Sequence, residues 1–199
     1  MLVLLRHGQS SANAAGLLTG RGDVPLTETG RRQAAALAPL LGPVTRLISS
    51  PLARARDTAE LLGLGIAPEI DERWVEIDYG RLEGRPLGEL GEAEWRRWRA
   101  DLSFRAGGGE TLAEVGVRVR AALEELFGED GAGARDSAGD VVVVSHVSPI
   151  KAAVAWALGA SDDLAWRLQL STGSLTRIGW GAAGPVLHTY NALPVPPAG

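Results

Sequence analysis

The amino-acid sequence predicts an α/β fold, a three-layer α/β/α arrangement around a mainly parallel central sheet. Short apolar runs that suit buried strands alternate with longer stretches of helical spacing. This alternation is typical of a parallel sheet covered by helices on both faces. Leu2–Leu5 and Val141–Val144 are apolar at every position, as expected of strands buried on both faces. No repeat or internal boundary interrupts the 199 residues, so we expect one domain over residues 1–199.

The first half of the chain begins with the strand Leu2–Leu5, which stops at the polar turn that follows it. An Ala- and Leu-rich helix is predicted from Arg31 to Leu41, ended by Gly42-Pro43. Arg46–Ser50 is predicted as the second strand. A helix from Pro51 to about Leu62 follows it, since proline favours the first turn of a helix.

The middle of the chain holds a third predicted strand, Ala67–Ile70, and then an irregular segment that runs through Gly84. A helix is predicted at Glu89–Ala100, where Trp95 and Trp98 lie three residues apart on one face. Packing in the core is the favoured interpretation of this tryptophan pair. A hydrophobic wall over a substrate is the alternative.

The second half begins with a helix, Thr111–Phe127, whose apolar residues have helical spacing. Gly128–Asp140 is rich in Gly, Ala and Asp and is predicted to be a mobile surface loop. The strand Val141–Val144 and a helix from Ser148 to Leu158 follow. Three closing strands are predicted at Leu168–Leu170, Leu175–Trp180 and Val186–Tyr190. The Pro-rich end, Leu193–Gly199, is predicted to be a loose tail.

The composition excludes several classes of function. With 24 acidic and 20 basic residues the net charge is −4, which speaks against non-specific binding of nucleic acid. Lys151 is the only lysine, so no N-terminal Walker lysine exists. The absence of cysteine excludes disulfides, cysteinyl-phosphate chemistry, thiolate zinc sites and iron–sulfur clusters. The apolar run after Met1 ends at Arg6, too short for a secretion signal or a membrane span, so a cytoplasmic protein is expected.

The chain has three histidines, and two of them directly follow the strongest predicted strands. His7 follows Leu2–Leu5 and His146 follows Val141–Val144. Because binding crevices in open parallel sheets form at the carboxyl ends of strands, both side chains are expected to face one crevice. His188 lies within a predicted strand with no acidic neighbour, and we expect a packed or half-exposed structural residue there.

A series of short motifs resembles the histidine phosphatase superfamily, whose members have the phosphoglycerate-mutase-like fold. The resemblance spans residues 2 to about 158, and the family order is kept throughout. The motifs are Leu5-Arg6-His7-Gly8 with Ser10 and Asn13, Thr19 to Thr27, Ser50-Pro51-Leu52-Ala53-Arg54-Ala55, Glu76 to Gly80 with Glu83-Gly84, Gly108-Gly109-Glu110-Thr111, and Val144-Ser145-His146.

The resemblance implies a role for each of five residues, and the chemistry of phosphoryl transfer agrees with it. Such a transfer needs a nucleophile, positive charge on the phosphoryl oxygens and an acid for the leaving oxygen. His7 is the candidate nucleophile. Arg6, Arg54 and His146 are the candidate phosphate cradle, since guanidinium groups match phosphate oxygens. Glu76 is the candidate general acid and base.

Two of these assignments have rivals in the sequence. Arg56 follows Arg54 by two positions, which places the two side chains about 200° apart on a helix, so only one can face the site. The family motif falls on Arg54, and Arg56 is then expected to be solvated or paired. Asp78 and Glu83 are the rivals of Glu76, which is favoured because the resemblance places it.

Further substrate contacts are expected from the same resemblance. Val147 stands where family members commonly have glycine after the second histidine, and a β-branched residue there narrows the backbone options and crowds the leaving group. The valine at this position therefore affects which substrates can bind. The candidate substrate-binding residues are Gln9, Asn13, Thr19, Gly20, Tyr79 and Val147.

The sequence thus predicts a phosphomonoesterase of the histidine acid phosphatase type, acting without metal or cofactor on a small phosphorylated metabolite. No nucleic-acid or membrane partner is expected, and the oligomeric state is not indicated. A phosphoglycerate mutase and a catalytically silent phosphate-binding module are the alternatives. The resemblance implies that mutases carry an insertion, with a lysine, after the acidic segment. Here only 34 positions separate Glu76 from Glu110 and a predicted helix takes up much of that span, which favours hydrolysis.

Overall fold

The computed structural model describes residues 1–128 and 138–194. Most of the loop predicted at 128–140 and most of the tail predicted at 193–199 therefore lie outside the described residues. The strands are β1 (Leu2–Arg6), β2 (Val44–Ser49), β3 (Glu69–Ile70), β4 (Asp140–Ser145), β5 (Leu175–Gly181) and β6 (Gly184–Ala192). The α-helices are α1 (Ser11–Ala14), α2 (Glu28–Leu37), α3 (Ala53–Leu61), α4 (Glu92–Ala100), α5 (Leu112–Phe127) and α6 (Val147–Ala157). Short 3-10 helices lie between them.

The six described strands form one sheet in the order β3-β2-β4-β1-β5-β6. The first four strands in this order run parallel to their neighbours. The strands β5 and β6 are antiparallel additions at the other edge. The predicted mainly parallel sheet is therefore confirmed, and β1 and β4 are central neighbours whose carboxyl ends lie side by side.

The central strand β1 sends alternate side chains into two separate cores. Leu2 and Leu4 belong to the core that contains α5 and α6, whereas Val3 and Leu5 belong to the core that contains residues of α2 and α3. Successive side chains of a strand point to opposite faces of its sheet, so a strand with no polar position needs apolar cover on both faces. The predicted three-layer α/β/α arrangement is thereby confirmed.

Several predicted element bounds are wrong for local reasons. Helix α2 begins at Glu28 rather than Arg31, because the side chain of Thr27 caps it by accepting a hydrogen bond from the backbone of Gly30. Helix α3 begins at Ala53, so Pro51 precedes the helix instead of opening it. The chain bends there before the helix begins.

The predicted strand Leu168–Leu170 is also wrong, because these residues form no strand. Instead, the carbonyl oxygen of Leu170 accepts a hydrogen bond from the side chain of Arg6 at 2.6 Å. Helix α4 begins at Glu92, three residues later than predicted, because a 3-10 turn occupies Leu87–Glu89.

A close backbone approach fixes the turn that follows β1. A Cβ atom added to Gly8 would lie 2.1 Å from the carbonyl oxygen of Gly30 in α2, which no side chain tolerates. The glycine after His7 therefore lets α2 pack directly on this turn. None of the helices in the described ranges is long and apolar enough to span a membrane.

Candidate active site

A cavity of about 560 Å³ opens at the carboxyl ends of β1 and β4. Residues that immediately follow these strands line it, as expected for the binding crevice of an open parallel sheet. Its polar wall includes His7, Arg6, Arg54 and Glu76. The cavity wall therefore contains four of the five residues to which a catalytic role was assigned from the sequence.

The His7 ring is buried, and its surroundings indicate which nitrogen carries the proton. Nδ1 lies 2.7 Å from the carbonyl oxygen of Gly8, which can only accept, so we place the proton on Nδ1. Nε2 then carries no proton, and its lone pair accepts a hydrogen bond from the Arg54 Nε–H at 3.3 Å. Burial, together with the positive charges of Arg6 and Arg54, holds the pKa of His7 well below its usual range. The ring is neutral at physiological pH.

Arg54 lies in the first turn of α3 and is almost fully buried. Its two terminal nitrogens donate to the carbonyl oxygens of Gly22 at 2.8 Å and Gly20 at 2.7 Å. These bonds fix the plane of the guanidinium beside His7, while burial lowers its pKa. Arg56 is exposed on the other side of the helix, in agreement with the helical phase argument.

Glu76 is buried, and its carboxylate accepts three backbone hydrogen bonds. Oε1 accepts from Ile77 at 2.8 Å and from Ser148 at 3.1 Å, and Oε2 accepts from Val147 at 3.0 Å. Val147 and Ser148 open α6, so the amino terminus of this helix orients the carboxylate. Among the described residues that line the cavity, Glu76 is the only acid.

The two rival carboxylates lie elsewhere. Asp78 accepts a hydrogen bond from the backbone of Gly80 at 2.7 Å. Glu83 accepts from the backbones of Gly20 and Arg21, both at 2.9 Å. Neither lines the cavity. Glu83 instead supports the loop whose carbonyl groups hold Arg54.

His146 is fully buried and lies behind His7 rather than in the cavity wall. The two ring centroids are 5.0 Å apart, and His146 Nε2 lies 2.7 Å from the hydroxyl oxygen of Ser50. Burial, followed by the charge of Arg54, lowers the pKa of His146 well below its usual range. The prediction that this residue adds positive charge to the cradle does not fit such a pKa, because the ring is then neutral and can donate only one hydrogen bond.

The expected substrate contacts divide into two groups. Asn13, Thr19, Tyr79 and Val147 line the cavity. Gln9 and Gly20 do not, because each holds part of the surrounding structure. The Gln9 side chain accepts from the Thr27 hydroxyl at 2.8 Å, and the Gly20 carbonyl binds Arg54.

Val147 causes no backbone strain. It is the first residue of α6, and no positive φ occurs there. A glycine would therefore relieve nothing in this backbone, and the effect of valine is confined to the cavity wall.

The tryptophan pair of α4 belongs to the cavity wall as well as to the core. Trp98 is buried and Trp95 half-buried, and both line the cavity. Their rings stack with centroids 5.5 Å apart at 17°. Trp166 completes the wall, its ring edge-on to both. The favoured interpretation of this pair as core is therefore confirmed, and the same helix face also lines the cavity.

Sequence reasoning missed Trp166 and Lys151 as cavity residues. Trp166 lies in a 3-10 helix, Asp162–Arg167, that no motif marks. Lys151 had a usable signal, because it follows Val147 by four positions on a helix and so shares its face. Within residues 1–128 and 138–194, no three His, Asp or Glu side chains come together as a metal ion requires.

Comparison with known proteins gives concordant results. A sequence profile of the histidine phosphatase superfamily (branch 1) matches residues 2–193. The solved structure of a mycobacterial glucosyl-3-phosphoglycerate phosphatase, a complex with VO3, is similar to this chain. The TM-score is 0.84 at 32% identity, and the alignment covers 96% of this chain and 98% of that one.

Two curated relatives differ in length and in name. A bifunctional protein of Mycobacterium tuberculosis (strain ATCC 25618 / H37Rv) is 38% identical over 184 residues, which are 88% of this chain and 49% of the relative. The chain thus spans about half the length of that relative. A probable phosphoglycerate mutase of Yersinia pestis (strain Pestoides F) is 33% identical over 199 residues, covering 94% of this chain and 90% of the relative.

Proposed function

The chain belongs to the histidine phosphatase superfamily, and from this premise we propose that it is a metal-independent phosphomonoesterase acting through a phosphohistidine on His7. Its substrates are small phosphate esters in the cytoplasm, and Glu76 is the general acid and base. The observation that carries the proposal is the state of His7. A neutral imidazole, whose unprotonated Nε2 accepts a 3.3 Å hydrogen bond from Arg54, lies in the same cavity as Glu76.

In the first step the Nε2 lone pair of His7 attacks phosphorus, and the bond from phosphorus to the ester oxygen breaks. Glu76 gives its proton to the departing alcohol oxygen. The guanidinium groups of Arg6 and Arg54 bind the phosphoryl oxygens and stabilise the charge that they carry in the transition state. The neutral ring of His146 lies behind His7, with the two ring centroids 5.0 Å apart, outside the cavity wall. The Gly8 carbonyl keeps the proton on Nδ1, so that Nε2 remains the attacking atom throughout.

In the second step Glu76, now a carboxylate, takes a proton from a water molecule as the water oxygen attacks phosphorus. The bond from phosphorus to His7 Nε2 breaks, and the ring returns to its neutral form. Inorganic phosphate leaves, and Glu76 again carries the proton. Each cycle thus consumes one water and needs no further reactant.

The similarity to a probable phosphoglycerate mutase makes mutase activity the second candidate. A mutase must keep water from the phosphohistidine while the substrate reorients. The segment between Glu76 and Glu110 contains α4, which is used as a wall of the cavity. This leaves little chain for an additional lid, and hydrolysis is therefore favoured.

The experiment that tests the proposal uses two substrates. Hydrolysis of 4-nitrophenyl phosphate separates the enzyme from a silent phosphate-binding module, which would release no nitrophenolate. Incubation with 3-phosphoglycerate and a catalytic trace of the bisphosphate then separates the two enzyme classes. Free phosphate, or no reaction with this acid, supports the phosphatase. Rapid formation of 2-phosphoglycerate without free phosphate would make the protein a mutase.

A further inference from the structure

Beyond the residues that face the phosphoryl group, the wall of the cavity is mainly apolar. It has an aromatic part, which we call the tryptophan wall and define as Trp95, Trp98 and Trp166. The other apolar side chains of the cavity include those of Leu17, Leu18, Leu87, Leu112, Leu168 and Leu170. A site of this composition holds its ligand chiefly by excluding water from apolar surface.

The rings of the tryptophan wall contact one another and are not free to collapse into the cavity. Trp95 and Trp98 stack, and Trp166 stands edge-on to them at centroid distances of 6.1 and 5.2 Å. Tyr79 packs edge-on against Trp98 at 5.8 Å and joins the wall to the segment that carries Glu76. The aromatic surface is thus held beside the catalytic groups.

Charged contacts from two helices fix the 3-10 helix that carries Trp166. Lys151 of α6 donates to the carbonyl oxygen of Ala165 at 2.9 Å. Arg120 of α5 forms an ion pair with Asp162 at 3.0 Å. Both contacts lie within four residues of Trp166. The position of this ring is therefore set by the fold before any ligand binds.

An acidic alcohol finds few partners in this cavity. Among the described lining residues, Lys151 is the only cation apart from Arg6 and Arg54, which face the phosphoryl group. Its ammonium is engaged with Ala165, and burial lowers its pKa. A carboxylate on the leaving alcohol would lose its hydration in the cavity without gaining a dedicated cation.

We propose that the alcohol half of the substrate is a bulky aromatic group that lies against the tryptophan wall. This inference rests on the proposed function and names the substrate class of the same site. The cavity volume of about 560 Å³ is ample for such a group, because pockets for ligands of this kind measure roughly 300–1,000 Å³. Three-carbon phosphorylated acids are then poor substrates.

The test compares four esters of primary alcohols, so that the acidity of the leaving alcohol stays nearly constant. They are 3-phenylpropyl, hexyl and propyl phosphate and 3-phosphoglycerate. Burial of one aryl ring predicts a kcat/KM about 10- to 100-fold higher for the phenylpropyl ester than for propyl phosphate. Aromatic contacts beyond plain burial predict an advantage of about 2- to 10-fold over hexyl phosphate.

A matched pair of variants locates the effect. Trp166→Leu should lower the ratio of phenylpropyl to propyl kcat/KM about 3- to 10-fold. Trp156→Leu is the control, because Trp156 is also half-buried but packs against Phe127 and Trp180 outside the cavity. This control should leave the ratio unchanged. Inhibition by vanadate should be equal in both variants, since it reports on the phosphate cradle alone.

Each result decides between the inference and the function on which it rests. The aromatic substrate class is overturned if kcat/KM is equal for all four esters, or if hexyl phosphate matches the phenylpropyl ester. Either result still supports the proposed phosphatase activity. The aromatic substrate class is also overturned if the enzyme prefers 3-phosphoglycerate and the Lys151→Met variant loses this preference. No phosphate release from any ester overturns the proposed function, and this inference with it.

Discussion

Replacement of Glu76 by glutamine changes one oxygen into an NH2 group, and the structure indicates what that costs. Oε1 accepts two backbone hydrogen bonds, from Ile77 and Ser148, while Oε2 accepts one from Val147. The glutamine oxygen is expected to take the Oε1 position because two donors meet there. Its NH2 group then faces the N–H of Val147, donor against donor.

The loss of stability follows from these three bonds. The amide oxygen keeps the hydrogen bonds from Ile77 and Ser148, so only the bond from Val147 is lost. The unsatisfied N–H of Val147 costs about 1–3 kcal/mol. We therefore expect Glu76→Gln to lower the free energy of unfolding by about 1–3 kcal/mol, measured by urea denaturation.

The loss of activity should depend on the leaving group. An alkoxide needs a proton as it departs and nitrophenolate hardly does. Loss of the general acid should therefore slow alkyl phosphates by about 10²–10⁴-fold and 4-nitrophenyl phosphate much less. The assay compares kcat/KM for propyl phosphate and 4-nitrophenyl phosphate in the wild type and the variant. An equal loss for both substrates would refute the assignment of Glu76 as the acid.

Glu83→Gln is the matched control for this prediction. Glu83 also accepts two backbone hydrogen bonds, but both meet one oxygen, so a glutamine can keep them. We expect a smaller destabilisation, less than about 1 kcal/mol, because both hydrogen bonds are kept. The control should show no dependence on the leaving group, because Glu83 does not line the cavity.

Three further predictions concern the cradle, pH and metals. Arg54→Lys should lower kcat/KM about 10- to 100-fold through loss of the guanidinium fork, whereas the exposed Arg56→Lys should change it less than twofold. The lowered pKa values of His7 and His146 make the unfolded state bind more protons below pH 6.5. The free energy of unfolding should therefore fall with decreasing pH, by about 1–1.5 kcal/mol per unit for each of the two residues, and a flat profile between pH 5 and 6.5 would contradict this. Activity should persist in excess chelator and should be inhibited by vanadate. If the activity is lost on chelation and recovers when a divalent ion is added, the enzyme depends on a metal.

The central strands of the fold could be predicted from the sequence, whereas some helix ends and connecting segments could not. The strands β1 and β4 were evident because apolar residues on both faces leave few alternatives for a run of four. The end of α2 was not, because Pro39 lies in a 3-10 turn that prolongs the helical pattern past Leu37. Leu168–Leu170 resembles a strand in composition, but its backbone binds the side chain of Arg6, a partner more than 160 residues away.

The candidate site was predictable where the chemical type of a residue and its position along a helix or strand indicate the same role. Helical phase shows that only one of Arg54 and Arg56 can face the site, and the resemblance to the family motif selects Arg54. The position of His7 at the end of a strand places it at the crevice. The tryptophan wall was only half predictable. Trp95 and Trp98 share a helix face, whereas Trp166 reaches them through tertiary packing that leaves no periodic trace in the sequence.

The central claim is tested most directly by trapping the phosphoryl group during turnover. The enzyme is mixed with a labelled alkyl phosphate and quenched in alkali, and the labelled peptide is identified by mass spectrometry. We predict one phosphoryl group on His7, which is stable in alkali and lost in acid. The His7→Ala variant should carry no label. The control variant His188→Ala should still carry it, because His188 is exposed on β6. Label that survives acid, or that lies on a serine or on His146, would contradict the account.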